Sequence, residues 1–401
     1  MNMKLAFRNL FRNFRRTFAI LLTVGLGAAA LFSFQGFIKG VLGDYKETVI
    51  HAHNGHGQIS MKGYRESVYE KPWEHWIDDP ENLTQYLEDE EIVEHVFPRV
   101  SFEALLKHDK VSIAGHGEGV EAIKEAGFFH ALNVDQGKQI TTEEDGILLG
   151  KGLAKALHAD IGDTVEILTR NVRGGAGKGK FVVTGIFNTG MVDFDGRMFR
   201  IQLAAAQSML RTNSVENVAV ALKDESNWTP LVEKLKHRFP QMETADYALI
   251  DKVYYQNSVD WLHSQYHIVQ IIILSMVLLG IFNTISTSVL ERKQEIGNLR
   301  ANGESMFSVV RLIVFEGAFM GVIGCVAGIA LSYIVFSFCL GDGILMPPGP
   351  GSTLPAYAQF EFTWKMVGLT SGLSIISSIV ASTFAGMKVA RMPIATALRS
   401  V

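Results

Sequence analysis

The stretch from Leu290 to Gly303 reads Leu-Glu-Arg-Lys-Gln-Glu-Ile-Gly-Asn-Leu-Arg-Ala-Asn-Gly, and it is short and highly charged. Long apolar segments lie before and after it, at residues 268–290 and 312–340. Because charged side chains are costly in the hydrocarbon of a bilayer, this stretch must lie in water between two membrane spans. A compact charged helix in that position is a candidate docking surface for a partner on that side of the membrane.

The composition fits a few membrane helices joined to a large water-soluble part. The chain has 401 residues, of which 48% are hydrophobic, and a mean hydropathy of +0.17. Those averages suit neither a soluble enzyme nor a dense bundle of spans. The net charge of -4 and the lack of a strongly basic domain give no reason to expect nucleic acid as a partner. Both cysteines, Cys325 and Cys339, lie in one apolar run, so the soluble part needs no disulfide.

The apolar runs predict four transmembrane helices, at residues 17–38, 264–290, 312–340 and 362–387. The segments outside them are a basic amphipathic helix at 1–16, a large soluble domain at 39–263, a charged helix at 291–311, a proline- and glycine-rich loop at 341–361 and a basic tail at 388–401. We therefore predict a membrane protein with four transmembrane α-helices and a large α+β extracytoplasmic domain between the first and second spans.

The distribution of positive charge predicts the orientation. Lys and Arg are frequent at the N-terminus, in the charged segment at 291–311 and in the tail, whereas the 341–361 loop contains neither. By the positive-inside rule, both termini and the charged segment should face the cytoplasm. The 39–263 domain and the loop should then face outward.

The soluble domain combines strand and helix signals. Strand signals occur at residues 111–114, 164–169, 181–187 and 217–222. Amphipathic helical signals occur at residues 151–158, 203–210 and 228–239. The run from Gly146 to Gly152 is typical of a strand that turns into a helix, and residues 248–267 should be helical and continue into the second span.

Glycine pairs in the third span predict close helix packing, because a residue without a side chain lets two backbones approach. The pairs are Gly317 with Gly321 and Gly324 with Gly328. The sequence leaves two partners open, which are another helix of the same subunit and a helix of a second subunit.

Two motifs that carry chemistry elsewhere are interpreted here as structural. The run Gly174–Phe181 satisfies GxxxxGK, but a phenylalanine stands where a phosphate-binding loop needs Ser or Thr, and a strand rather than a helix follows. We expect a hairpin tip there. His51, His53 and His56 form HxHxxH without an obvious fourth ligand, so we favour a turn that enters a strand over a metal site.

A carboxylate close to the hydrocarbon also needs an explanation. Glu316 lies about one turn inside the third span, and we expect a structural role near Arg311 at the membrane interface. The sequence contains no nucleophile elbow, Ser-His-Asp order or paired catalytic carboxylates. The chain by itself is therefore not expected to be an enzyme.

Residues 291–303 fit the pattern ERxxEIGxLRAxG, which resembles the coupling-helix motif of the MacB/LolC/FtsX-type permeases of ATP-binding-cassette (ABC) systems. The order of one span, a large outer domain and three further spans is also similar to that family. Further stretches that fit are Leu5–Asn13, Gly146–Ala154, Gly162–Val165, Phe315–Gly317 and Arg391–Arg399.

This resemblance implies a permease subunit in a bacterial inner membrane, paired with a second copy or a paralogue. It also implies two copies of a separate ATPase subunit, which would hold ATP and Mg, so this chain itself should bind no cofactor. ATP hydrolysis would then move the periplasmic domain. The residues that the family motif assigns to ATPase coupling are Glu291, Glu295, Ile296, Gly297, Leu299 and Arg300.

The LolC/LolE branch of the family implies extraction of a lipoprotein or another lipidic cargo. By location alone, cargo would contact Phe32, Phe34, Phe37, Ile268 and Ile271. A periplasmic carrier or adaptor is a further partner, although the loop at 170–180 is short and rich in Gly and Lys, unlike the long carrier-binding hook of the LolC type.

Two alternatives remain open on the sequence. One is an FtsX-like activator of a periplasmic partner, and the other is a MacB-like efflux permease with an adaptor. An apolar cavity that opens laterally between the first two spans would favour extraction, whereas a closed and tightly packed interface would favour signalling.

Overall fold

The computed structural model describes residues 14–67, 71–140, 145–250, 252–339, 341, 343–348 and 353–391. Most of the amphipathic N-terminal segment and of the basic tail therefore lies outside the described residues. In chain order the helices are α1 (Phe14–Val49), α2 (Tyr64–Ser67), α3 (Pro80–Glu88), α4 (Ala122–Phe128), α5 (Lys151–Leu157), α6 (Val192–Asp195), α7 (Leu203–Leu210), α8 (Trp228–Arg238), α9 (Tyr247–Ile250), α10 (Lys252–Glu291), α11 (Lys293–Ala301), α12 (Met306–Cys339) and α13 (Trp364–Ala390).

The strands are β1 (Gly57–Met61), β2 (Val93–His108), β3 (Val111–Val120), β4 (Val134–Gly137), β5 (Gly146–Gly150), β6 (Thr164–Arg170), β7 (Ala176–Phe187), β8 (Met198–Gln202), β9 (Asn217–Leu222), β10 (Met242–Asp246), β11 (Ile344–Met346) and β12 (Ala356–Ala358). All strands and helices that the sequence analysis predicted in the soluble domain are present at the expected residues, including the strand β5 that turns directly into α5.

Among the described residues, four helices are long and apolar enough to cross a membrane, namely α1, α10, α12 and α13. This confirms the predicted fold class. The helix α1 continues past the expected span to Val49, because no proline interrupts it, and a π-helical turn over Ile50–Asn54 follows. The helix α10 has 40 residues and contains both the polar-aromatic segment and the second span, as predicted.

The chain divides into two units. The membrane unit comprises the residues up to Gly43, Ser258–Ile344 and the residues from Tyr357 onward. The periplasmic unit comprises Asp44–Asn257 and Leu345–Ala356, so part of the loop between α12 and α13 packs with the periplasmic unit.

The periplasmic unit is built on a sheet of ten described strands in the order β10-β1-β9-β2-β3-β8-β5-β7-β4, and β6 pairs with both β2 and β7. The pairs β3–β8 and β5–β7 are parallel, and the other described pairs are antiparallel. The strand β5 is buried along its whole length because both of its faces are covered, with Ile147 and Leu149 in one apolar cluster and Leu148 in another. That burial explains its continuous apolar sequence.

The glycine-rich run that imitates a phosphate-binding loop lies in a β-hairpin, but only Gly174 and Gly175 belong to its turn, and the residues from Ala176 onward form the start of β7. Arg170 pairs with Ala176 across the turn, and Lys178 and Lys180 are paired residues within β7. Since no helix begins after the run, it lacks the helix N-terminus on which a phosphate would bind.

Candidate functional site

The coupling helix α11 is a separate short helix between α10 and α12. A break at Arg292, with φ -96° and ψ 13°, separates it from α10. It ends before Gly303, whose φ of +94° is accessible to glycine at little cost. Glu295 lies in its first turn and Arg300 in its last, so both charges interact favourably with the helix dipole and stabilise the helix.

One face of α11 is packed into the membrane unit. Ile296 is 8% exposed and belongs to an apolar cluster with residues of α1, α10, α12 and α13, namely Ile20, Val24, Val277, Ile281, Ile285, Val309, Ile313, Met320, Ala381 and Ala385. Gly297 is buried beside it. Ile296, one of the residues that the family motif assigns to ATPase coupling, therefore seats α11 on the other membrane helices.

The pairing of Glu316 also differs from the expectation. Nη1 of Arg292 donates to both carboxylate oxygens of Glu316 at 3.2 Å, and Nε of Arg292 donates to Glu295 at 2.9 Å. Arg311, which we expected as the neighbour of Glu316, is exposed. Arg311 and Glu316 are five positions apart on α12, so their side chains point in different directions. Arg292 lies at the break between the helices α10 and α11, and its side chain turns toward α12.

Arg300 attaches the other end of the coupling helix. Its Nη1 donates to the carbonyl oxygen of Ala390, the last residue of α13, at 2.9 Å. The helix α11 is thus bonded to α12 at its start and to α13 at its end. Glu291, Glu295 and Leu299 remain exposed, with Leu299 39% exposed.

The sequence analysis did not single out Arg292, although it lies in the coupling motif. A signal was present, since a carboxylate near the hydrocarbon needs a cationic partner. Which cation supplies it depends on how α11 is placed against α12, and a single sequence does not give that placement.

The glycine pairs of α12 contact two different helices of the same subunit. A Cβ on Gly317 or Gly321 would meet Ser382 or Ser378 of α13, and a Cβ on Gly324 or Gly328 would meet α1. Ser378 also donates its hydroxyl to the carbonyl oxygen of Gly317 at 2.7 Å. The partner that the sequence left open is therefore, for all four glycines, a helix of the same chain.

The predicted cargo residues have different environments. Phe32 is fully buried, with its ring centroid 5.6 Å from that of Phe360 and 5.9 Å from that of Phe362. It is a core residue of the membrane unit, so the expectation that it faces cargo was wrong. Phe34 is half-buried, and its ring stacks on that of Tyr266 of α10 with the two ring centroids 6.0 Å apart.

Phe37 is likewise half-buried, whereas the predicted residues of α10 are open. Ile268 and Ile271 are 60% and 64% exposed. Ile272, Met276 and Leu279 lie on the same helical face and are 47%, 68% and 63% exposed. The second span thus carries an exposed apolar stripe along its outward half.

The helices α1 and α10 pack closely within this chain. A Cβ on Gly27 would overlap Val277, and a Cβ on Gly280 would lie 2.8 Å from Thr23. Together with the Phe34–Tyr266 stack, these contacts give the closed arrangement that the sequence analysis associated with signalling.

The centre of the periplasmic unit contains a buried charge network. Arg99 makes two hydrogen bonds to Glu125, at 2.7 and 2.8 Å, and Arg200 bonds Glu118 at 2.9 Å and Glu125 at 3.2 Å. Arg99 also donates to the carbonyl oxygen of His53, whose Nδ1 lies 3.0 Å from Glu118. Burial opposes ionisation of Glu118, but its cationic neighbours outweigh this and hold its pKa well below the usual value. The network joins the π-helical turn after α1 to the middle of the sheet.

The three histidines of the HxHxxH motif have separate partners. Nδ1 of His51 bonds the carbonyl oxygen of Phe128 at 2.9 Å, and Nδ1 of His56 accepts a hydrogen bond from the backbone N–H of Leu222 at 3.1 Å. Within the described residues, no group of three or more His, Cys, Asp or Glu side chains is arranged to hold a metal ion. The motif instead forms the turn that leads into β1.

The chain has four apolar helices, a charged helix between the second and third of them, and a large α+β domain after the first, and two family models identify this arrangement as that of an ABC-transporter permease. A family model described as MacB-like periplasmic core domain matches residues 17–238, and one described as FtsX-like permease C-terminal matches residues 268–394. The chain therefore belongs to the MacB/LolC/FtsX-type ABC permeases and is a multi-pass inner-membrane protein. Membership of this family implies an ABC ATPase partner.

The chain is also similar to several known proteins. The lipoprotein-releasing system transmembrane protein LolE of Haemophilus influenzae is 23% identical over 269 residues, which are 65% of this chain and 64% of that protein. LolC of Xylella fastidiosa is 24% identical over 328 residues, 78% of this chain and 74% of that protein. This chain is also similar to the crystal structure of the periplasmic region of MacB from Actinobacillus actinomycetemcomitans, with a TM-score of 0.37 and 15% identity. The aligned part is 51% of this chain and 95% of that chain.

Proposed function

We propose that this chain converts ATP hydrolysis by a separate cytoplasmic ATPase into motion of its periplasmic domain, and that this motion extracts a lipoprotein or another lipidic cargo from the inner membrane. The observation that carries the proposal is the attachment of α11. Ile296, the Arg292–Glu316 ion pair and the Arg300–Ala390 hydrogen bond hold it to the membrane helices. Glu291, at the end of α10, and Leu299 of α11 are exposed and accessible to a partner.

A push on α11 would be transmitted because its attachments are short and partly buried. The side chains of Arg292 and Glu316 are 15% and 9% exposed, so water screens their attraction only weakly. A helix of 40 residues such as α10 is about 60 Å long. It begins at Lys252, and Arg292 alone separates its last residue from α11, so a single helix contains the second span and ends at the coupling helix.

In this proposal both termini and α11 lie in the cytoplasm, and two ATPase subunits that hold ATP and Mg dock on two permease subunits. The second permease is either a copy of this chain or a paralogue. The exposed residues Glu291, Glu295 and Leu299 form the contact, while Arg300 and Gly297 shape and hold the helix that carries it. A periplasmic carrier or adaptor would receive the cargo.

The cargo would bind along the exposed apolar stripe of α10, at Ile268 and Ile271, next to Phe34 and Phe37 of α1. Apolar side chains on a span can pack equally well with acyl chains and with another helix. The names of the LolE and LolC relatives support a lipoprotein as the cargo.

The experiment is release of a fluorescent triacylated lipopeptide from nanodiscs that contain the complex purified through this chain. We expect release that requires ATP, and we expect Ile271→Ser to reduce it severalfold. Ile334→Ser is the matched control, because Ile334 is an isoleucine of α12 that is 52% exposed. Equal release by both variants would contradict the assignment of the cargo site.

A second candidate function is activation of a periplasmic partner without transport of cargo. The close packing of α1 on α10 at Gly27 and Phe34 favours it, since a signalling permease needs no space between its first two spans. ATP-dependent motion of the periplasmic domain without any release of lipopeptide would support this function and exclude extraction.

A further inference from the structure

Most of the segment between α12 and α13 belongs to a different structural unit from the two helices that it connects. Residues Leu345–Ala356 pack with the periplasmic unit, whereas α12 and α13 belong to the membrane unit. The links on either side are short, since residues 340–344 and 357–363 are all that separate this segment from the two helices. Any shift of α12 or α13 must therefore either pull on this segment or be absorbed within those few residues.

The described end of the segment is bonded to the periplasmic unit. The backbone N–H of Thr353 donates to the carbonyl oxygen of Gly190 at 2.6 Å. The hydroxyl of Thr353 donates to Oδ1 of Asn188 at 3.4 Å. Leu354 lies directly over Gly190. A Cβ atom added to Gly190 would be 3.1 Å from Cγ of Leu354.

Gly190 is suited to this close approach. Its φ is +86°, which residues with side chains rarely adopt, and any side chain there would also press on Leu354. A glycine in this conformation is typical of a place where another chain segment passes near the backbone.

The residues Asn188–Gly190, which Thr353 and Leu354 contact, are themselves held in place by hydrogen bonds. The carboxylate of Asp195 accepts hydrogen bonds from the N–H of Thr189 at 3.0 Å, its hydroxyl at 2.8 Å and the N–H of Gly190 at 3.2 Å. Asn188 is 3% exposed, and its N–H donates to the carbonyl oxygens of Leu132 and Asn133. A load placed on Gly190 would therefore reach the sheet through several bonds at once.

We propose that Thr353 and Leu354 form a clamp that fastens the loop between the third and fourth spans to Asn188–Gly190 and transmits movement of α12 and α13 to the periplasmic domain. These two helices carry the attachments of the coupling helix, at Glu316 and Ala390. The clamp is thus a route in addition to α1 and α10. The inference rests on the proposed function for the source of the force.

The first test measures the clamp itself. Amide hydrogen exchange of the peptide that contains Thr353 is followed in the full complex in nanodiscs. Leu354→Ser should speed exchange of the Thr353 amide about tenfold, because it removes the apolar cover of that hydrogen bond. Leu345→Ser is the matched control, since Leu345 lies in the same segment and is 59% exposed. Fast exchange already in the wild type would overturn the clamp.

The second test measures transmission. Spin labels are placed at Lys236→Cys of the periplasmic unit and Phe338→Cys of α12, in a background with Cys325→Ser and Cys339→Ser, and the distance is measured with and without ATP and vanadate. We expect Leu354→Ser to reduce the ATP-driven distance change at least twofold while ATP hydrolysis continues. Leu345→Ser should leave the change intact.

The outcomes separate the two proposals. If the wild type shows an ATP-driven change and Leu354→Ser shows the same change, the clamp transmits nothing and this inference fails alone. If the wild type shows no ATP-driven change, the proposed function fails, and with it the mechanical role of the clamp.

Discussion

Arg292 and Glu316 form an ion pair with two N–H···O contacts of 3.2 Å, and through it the start of the coupling helix is held against the third span. Arg292 also bonds Glu295 in the first turn of α11, so a single guanidinium joins that helix to α12. An ion pair with both side chains largely shielded from water resists separation, because either charge left alone would be poorly solvated.

We predict that Glu316→Gln uncouples ATP hydrolysis from periplasmic motion and lowers the free energy of unfolding by about 3 kcal/mol, since it leaves the guanidinium of Arg292 without its counter-charge. Coupling is measured as cargo release per ATP hydrolysed, and stability as thermal unfolding in detergent. Arg311→Gln is the control, because Arg311 lies on the same helix and is exposed. If both variants behave alike, the ion pair has no special role.

The exposed face of α11 predicts the effect of Leu299→Asp. A charge at this apolar position should weaken binding of the partner ATPase about tenfold or more, as expected for an apolar anchor at the centre of an interface. Binding is measured by titrating the purified ATPase onto the permease in nanodiscs. Asn298→Asp adds the same charge at the neighbouring exposed position and should have a smaller effect. Unchanged ATPase binding by Leu299→Asp would remove α11 as the docking surface.

The contact between α12 and α1 predicts the effect of Gly328→Ala. A methyl group there would overlap the backbone carbonyl of Gly25, which cannot move without shifting a whole helix. We expect a loss of about 1–3 kcal/mol in the free energy of unfolding. Gly372→Ala on α13 is the control, since a Cβ at that position would have open space. Thermal unfolding of both variants in detergent decides the matter, and equal unfolding temperatures would rule out the tight helix contact.

A buried carboxylate predicts a pH dependence of the periplasmic domain. Burial raises the pKa of Glu216 to about 7, while the N–H of Ser101, which donates to it at 2.6 Å, acts in the opposite direction. Tyr64 also donates its hydroxyl to this carboxylate. Because the folded pKa lies above the unfolded value near 4.5, the stabilisation is complete below pH 4.5 and is lost as the pH rises to about 7.

The difference between the folded and unfolded pKa values of Glu216 corresponds to a loss of about 3 kcal/mol in the free energy of unfolding as the pH rises across that range. Unfolding followed by tryptophan fluorescence from pH 4.5 to 8 should show this decline in the wild type. In Glu216→Gln the decline should be absent, and the variant should be more stable than the wild type at pH 8. Parallel pH profiles for the two proteins would show that Glu216 does not titrate in this range.

Much of the fold could be predicted from the sequence, because the signals are local. Apolar runs reveal spans wherever they occur, and period-two or period-3.6 patterns revealed β9 and α7 at their observed bounds. The coupling motif at residues 291–303 likewise carries its own evidence, since its charges lie between two apolar runs.

The candidate site could be predicted only in part. Arg99 and Arg200 each stand in a strand between apolar neighbours, and nothing in that pattern shows that they meet at Glu125 in the interior. A charged residue within a strand usually lies on the face exposed to water, so the alternation of the sequence points away from this network.

By itself the sequence determined the number of spans, the class of the periplasmic domain and the position of the coupling helix, because hydropathy and periodicity depend on neighbours along the chain. Only the tertiary structure decided that Ile296 and Phe32 point inward, that Glu316 pairs with Arg292, and that the glycines of α12 contact α1 and α13. Each of those outcomes depends on which helices meet and at what rotation. The free energies that choose among such arrangements come from contacts between residues far apart in the chain.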